Sequence, residues 1–167
     1  TYGRPLVLDA KSTFVQGADV NTKNICPAAL GFKDQQPAAY SPQTNLFYVP
    51  VNNVCMDYEP FKVSYTPGQP YVGATLSMFP PEGKTNTGHF TIWDGAAGKI
   101  VHQHDEPFSV WSGVLTTAGG LACHGTLDGF LRCRDAKDGA VLFSHRLPSG
   151  SIGNVFSYAL GGKQYIG

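Results

Sequence analysis

Apolar residues along this chain fall in short runs separated by turn formers, the pattern of brief strands rather than of a helical bundle. Asn45-Leu46-Phe47-Tyr48-Val49-Pro50-Val51 predicts one strand. Leu121 to Cys133 predicts a hairpin with Asp128-Gly129 at its tip. Ile92-Trp93-Asp94-Gly95-Ala96-Ala97-Gly98-Lys99-Ile100-Val101-His102 aligns in register with Cys133-Arg134-Asp135-Ala136-Lys137-Asp138-Gly139-Ala140-Val141-Leu142-Phe143. Asp94 and Asp135, like Gly98 and Gly139, stand 41 residues apart, close to the period of a four-stranded propeller blade. Each unit predicts a strand, an Asp-x-x-x-Gly turn and a second strand. The Asp bonds backbone within the turn, and the Gly supplies the positive φ that reverses the chain. Thr1-Tyr2-Gly3-Arg4-Pro5-Leu6 looks like the second half of a further such turn. From Glu59 to Gly88, proline and glycine punctuate a stretch that reads as a long irregular excursion.

Composition supports an all-β class: 20 glycines, 12 prolines and 12% aromatics accompany only 14% charged residues. Twelve basic residues balance twelve acidic ones, so the positive field expected of a nucleic-acid binder or a polybasic membrane anchor is missing. A small molecule or another protein is the expected partner. No apolar run approaches the roughly 20 residues needed to span a bilayer as a helix. The start at Thr1 and the stop after Gln164-Tyr165-Ile166 are read as boundaries of an internal piece, so residues 1–167 are expected to form part of one propeller domain. Two blades cannot close a ring, and poor stability is expected of the piece alone.

Longer runs are familiar. Lys23-Asn24-Ile25-Cys26-Pro27-Ala28-Ala29-Leu30-Gly31, Asp34-Gln35-Gln36-Pro37-Ala38-Ala39-Tyr40-Ser41-Pro42, Cys55-Met56-Asp57-Tyr58-Glu59-Pro60-Phe61, Gly68-Gln69-Pro70-Tyr71-Val72-Gly73-Ala74-Thr75-Leu76 and Val110-Trp111-Ser112-Gly113 resemble the large subunit of pyrroloquinoline quinone (PQQ) dependent methanol dehydrogenases. Asp34-Gln35-Gln36-Pro37 and Val63-Ser64-Tyr65-Thr66 resemble the lanthanide-type branch more than the calcium-type branch. The resemblance implies about two to three blades of an eight-bladed quinoprotein propeller, plus the excursion. It also implies oxidation of methanol to formaldehyde in the periplasm, with PQQ and a calcium or lanthanide ion. A c-type cytochrome would accept the electrons, and a small subunit or a homodimer is a family expectation. Ethanol or other alcohols as substrate, or a non-catalytic propeller binding module, are the alternatives. The catalytic base, the metal ligands, the vicinal cysteines and a key arginine are expected in segments before Thr1, so no catalytic or metal-binding residue is assigned within this chain.

The family's blade-docking motif, Ala-x-Asp-x-x-x-Gly-x-x-x-Trp, is altered here: Ile92 and Cys133 stand at its alanine positions, His102 and Phe143 at its tryptophan positions. The resemblance implies a Cys26–Cys55 disulfide, which would constrain the unfolded chain by roughly 3 to 4 kcal/mol; the residues alone leave two buried free thiols equally open. It also places Asp34 and Trp111 against the cofactor, converging on one cavity. An ionised Asp34 would repel a PQQ carboxylate but could accept from a pyrrole N–H or act through the arginine; the alternative is an Asp capping its own loop. Trp111 would wall a flat quinone, or else pack between blades as a core residue. Asp57 and Glu59 share a strand face and invite an acid–base reading, but no nucleophile or His partner accompanies them. His102, His104, His124, Cys123 and Cys133 lack the paired spacing of a zinc site. A three-residue hairpin loop, Leu127–Gly129, would oppose Cys123 to Cys133 and permit a bridge, whereas a two-residue Asp-Gly turn would pair Cys133 with His124.

Overall fold

The computed structural model describes residues 3–4, 6–14 and 16–167, and regular structure in it is almost entirely strand. One 3-10 turn, Asp9–Lys11, precedes β1 (Thr22–Ile25), β2 (Ala39–Ser41), β3 (Leu46–Asn52), β4 (Cys55–Pro60), β5 (Ala74–Phe79), β6 (Gly88–Asp94) and β7 (Lys99–Glu106). Then come β8 (Val114–Thr116), β9 (Leu121–Gly125), β10 (Phe130–Asp135), β11 (Val141–Arg146), β12 (Ser157–Leu160) and β13 (Lys163–Ile166). Strands β2-β3-β6-β7 form one four-stranded antiparallel sheet, and β8-β9-β10-β11 form a second. These are two propeller blades, and the β12-β13 pair begins the pattern again. The expected half-turn at Thr1 to Leu6 falls in part outside the described residues.

The repeat in the sequence is a repeat in structure. In each blade the two outer strands pair across an Asp-x-x-x-Gly turn whose glycine has positive φ, 64° at Gly98 and 79° at Gly139. Ile92 pairs with His102 but Trp93 with Ile100, leaving Val101 as a bulge; Cys133 pairs with Phe143 but Arg134 with Val141, leaving Leu142. An unpaired residue at the same place in each blade sharpens the local twist of the outer strand.

The excursion from Glu59 to Gly88 holds β5 and the end of β4, more regular structure than its prolines and glycines predict. Inserted between β3 and β6, β4 and β5 pair over six residues, and β1 adds to the far edge of β4. The Cys26–Cys55 disulfide joins the loop after β1 to the start of β4, beside a small core of Ala28, Val54 and Met56. Asp57 accepts from Lys23 Nζ at 2.9 Å and from the Asn24 amide at 3.0 Å, and Glu59 accepts from Asn21 Nδ2 at 2.8 Å. The hydrogen bond from Lys23 and that amide hold the Asp57 carboxyl below its ordinary range. Both carboxylates thus fasten the β1 edge.

Alternation along the central strands sets the packing. Tyr48, Phe90 and Ile92 face the second blade and close a core with Val114, Ala122 and Ala136. The docking contacts differ from those the motif implies. Tyr48 Oη donates to the Ala136 carbonyl at 2.6 Å, and His104 Nε2 bonds the Asp138 carbonyl at 2.7 Å. His104, two residues past the expected docking position at His102, therefore grips the next blade's turn. Gly139 lies directly beneath it: a Cβ there would stand 2.3 Å from His104 Nε2.

Candidate functional site

The segment Pro107–Gly113 connects β7 of the first blade to β8 of the second and carries Trp111. At its start, the Thr87 amide donates to the Pro107 carbonyl at 3.1 Å, while the Ser109 amide and hydroxyl bond Thr87 Oγ1 and O at 3.0 and 2.8 Å. Gly88 admits this approach because a Cβ there would fall 2.1 Å from the Phe108 carbonyl oxygen. At its end, the Val114 amide donates to the Pro37 carbonyl at 3.0 Å and the Gly113 amide to Asn154 Oδ1 at 3.1 Å. Trp111, half-buried, projects between these anchors into a pocket of about 270 Å³, whose other walls include Leu30, Val54, Met78, Phe108 and Leu127. One wall thus comes from the disulfide-linked excursion and another from the second blade's hairpin.

Asp34 lies four residues beyond Leu30, exposed, and does not line the Trp111 pocket. Its loop nonetheless reaches the Trp111 segment through Pro37. Between them, Gln36 is 2% exposed, and neither Oε1 nor Nε2 has a hydrogen-bond partner. A buried carboxamide with both ends free can donate to and accept from a bound polar group. Gln36, like Asp34, does not line the Trp111 pocket, whose aromatic and apolar walls suit the flat face of a quinone such as PQQ.

Sequence reading missed the charged cluster behind this loop. Glu106, the last residue of β7, is 2% exposed and enters the second blade. Its Oε1 accepts from His124 Nε2 at 3.1 Å and Arg134 Nη2 at 2.6 Å, and its Oε2 is paired with Arg132 Nη1. Arg132 continues to Asp128 Oδ2 at 2.9 Å, and Arg134 to the Gly139 carbonyl at 2.8 Å. Burial pushes the Glu106 carboxyl upward, but the His124 hydrogen bond and the Arg134 guanidinium override it and hold it at about 2. Burial lowers His124, whose ring stacks on Phe90 at 4.8 Å between centroids. Its Nδ1 has no partner, as expected of a neutral ring donating from Nε2. The sequence signal was the alternation of Arg132 and Arg134 on one strand, which puts both guanidinia on one face.

The zinc reading of the same region loses its donors. His124 is committed to Glu106, and Cys123 and Cys133, directly opposed in the β9-β10 register, form a second disulfide. The hairpin has the three-residue loop: the Thr126 amide bonds the Phe130 carbonyl at 2.9 Å, and Gly129 takes a φ of 82°.

Residues 92–166 match the family model described as glucose/ethanol/alcohol dehydrogenase, β-propeller domain, under the label PQQ. A lanthanide-dependent methanol dehydrogenase of Methylorubrum extorquens is 59% identical over 167 residues, 99% of this chain and 28% of that protein. The chain belongs to the PQQ-dependent methanol dehydrogenase family. A solved europium-containing methanol dehydrogenase matches with a TM-score of 0.85 at 49% identity, over 89% of this chain and 26% of that one. From Methylorubrum extorquens again, methanol dehydrogenase (cytochrome c) subunit 1 is 40% identical over 149 residues, 86% of this chain and 24% of that protein. Within the PQQ-dependent methanol dehydrogenases, the chain is therefore closer to the lanthanide-type branch, as its Asp34-Gln35-Gln36-Pro37 segment implies. It spans about a quarter of the length of these relatives.

Proposed function

We propose that this chain forms part of a quinoprotein that oxidises methanol to formaldehyde with PQQ and a lanthanide or calcium ion. The observation that carries the reading is the 59% identity to a lanthanide-dependent methanol dehydrogenase, sustained over 99% of the chain. When bound, PQQ supplies the acceptor for the two electrons that leave the alcohol, and the metal ion supplies Lewis acidity. Trp111 contributes the flat wall that orients the quinone and excludes water. Asp34, in the adjoining loop that meets the Trp111 segment through Pro37, contributes a polar partner for the cofactor from outside that pocket. The general base and the metal ligands are assigned to other segments of the protein, so within this chain the work is binding and orientation.

Location in the periplasm is supported by two disulfides among the described residues, which persist in an oxidising compartment. A c-type cytochrome as electron acceptor is supported by the name of the 40%-identical relative. Either a small subunit or a second copy of the large one accompanies the chain in this reading.

The test uses the complete protein that carries this chain. Its visible spectrum is recorded, dye-linked methanol oxidation is measured with added calcium or lanthanum, and both are repeated with Asp34→Ala. Bound quinone, activity that depends on added metal and a tenfold or greater loss in the variant are expected. A protein that binds no PQQ under either metal would overturn the reading in favour of a non-catalytic propeller module.

A further inference from the structure

Three loops and the end of β9 meet around Gly113. Its amide donates to Asn154 Oδ1 at 3.1 Å, and the amide of the next residue, Val114, donates to the Pro37 carbonyl at 3.0 Å. The preceding Ser112 is fully buried, and its Oγ accepts from the Gly125 amide at 3.0 Å. A Cβ on Gly113 would lie 2.6 Å from both Asn154 Oδ1 and Pro37 Cγ, so the loop of Asp34, the loop of Trp111 and the side chain of Asn154 close on a space that only hydrogen fills.

Asn154 lies between β11 and β12, exposed, 41 residues beyond Gly113. That is one repeat period, so the next unit reaches back from the equivalent position to hold the loop of the unit before it. The Asn154 bond to a backbone amide two residues from Trp111 fixes where that ring sits relative to Pro37, and hence to Asp34 and Gln36.

We propose that Asn154 is a positioning residue for the cofactor wall: its Oδ1, by capturing the Gly113 amide, locks the Trp111 loop against the Asp34–Pro37 loop and fixes where the Trp111 ring stands in its pocket. This rests on the reading of Trp111 as a wall of the PQQ site. Asn154 holds the peptide and touches no reacting atom. Losing the acceptor frees the loop, while an aspartate keeps an oxygen in the same place.

The experiment compares Asn154→Ala, Asn154→Asp and Trp111→Ala in the complete protein. Gly113 amide exchange is measured in the cofactor-free form, and quinone retention, the quinone absorption band, kcat and KM in the loaded form. With Asn154→Ala, exchange at Gly113 is expected to quicken about tenfold, in keeping with the loss of one hydrogen bond. The same variant should lose quinone faster and show a shifted band, with kcat reduced more than KM is raised. Asn154→Asp restores these properties. If Asn154→Ala changes neither exchange nor retention while Trp111→Ala impairs retention, the positioning role is overturned and the wall stands. If Trp111→Ala leaves retention and band as in the parent, the wall reading itself fails. A variant Ala protein that does not fold, alongside an Asp protein that folds yet loses quinone at the Ala-like rate expected above, also overturns the proposal.

Discussion

At the scale of single residues, Glu106 has the largest consequence for stability. It brings a carboxylate from the first blade between two guanidinia and an imidazole of the second, where breaking a buried pair leaves charge without solvent. Glu106→Gln should cost about 3–5 kcal/mol, read as a lowered midpoint in denaturant. Within this cluster two depressed groups contribute to the acid limit. His124 remains neutral in the fold below its ordinary 6.5, so stability begins to fall as pH drops beneath that value. Glu106 adds stability that is complete above 4.5 and disappears as pH falls through about 2. Thermal melts of the parent between pH 7 and pH 3 should decline progressively, and Glu106→Gln should flatten the part below pH 4.5; an equal slope in both proteins would refute the assignment. None of this was legible locally, since Glu106 and His124 are 18 residues apart and only blade packing makes them neighbours. His104, rather than His102, docks the next turn for a related reason: the choice depends on which carbonyl the neighbouring blade presents.

At the scale of elements, the Asp-x-x-x-Gly turns were read correctly because their chemistry is local. Gly139 adds a tertiary demand, with positive φ and no room beneath His104. Gly139→Ala should therefore destabilise by about 1–3 kcal/mol, whereas Gly98→Ala, with positive φ and open space around it, should cost less. The hairpin between β9 and β10 was also legible, but its register was not. One residue more or less in the loop decides whether Cys123 faces Cys133 or His124 does, and glycine at the tip suits both. Closing this short loop should contribute roughly 2–3 kcal/mol. Replacing both cysteines by serine should lower stability by that amount, and alkylation of the unfolded parent without reductant should leave its mass unchanged. The excursion hid β5 because prolines and glycines mark its ends and tip, while β5 itself is mostly exposed and does not alternate.

At the scale of the molecule, the first blade's outward face shows Phe32, Val49, Val51, Trp93 and Ile100 around a pocket of about 530 Å³. At the other side, β11 and β12 are exposed along their whole length, with Leu142, Phe143, Tyr158 and Leu160 each about half open or more. Blades are stabilised chiefly by what they bury against neighbours. Produced by itself, this 167-residue chain should bind a hydrophobic dye strongly and melt well below the complete protein; a dye-silent, cooperatively melting chain would contradict that picture. The sequence by itself determined the all-β class, the 41-residue period, the turns and the family, because each is carried by spacing and residue type within one or two repeats. Tertiary structure decided which histidine docks a blade, that Glu106 meets His124, that Cys123 meets Cys133, and that Asn154 holds the Trp111 loop. These contacts join residues separated by a hairpin or by a whole blade, and their partners are chosen by register and by blade-on-blade geometry.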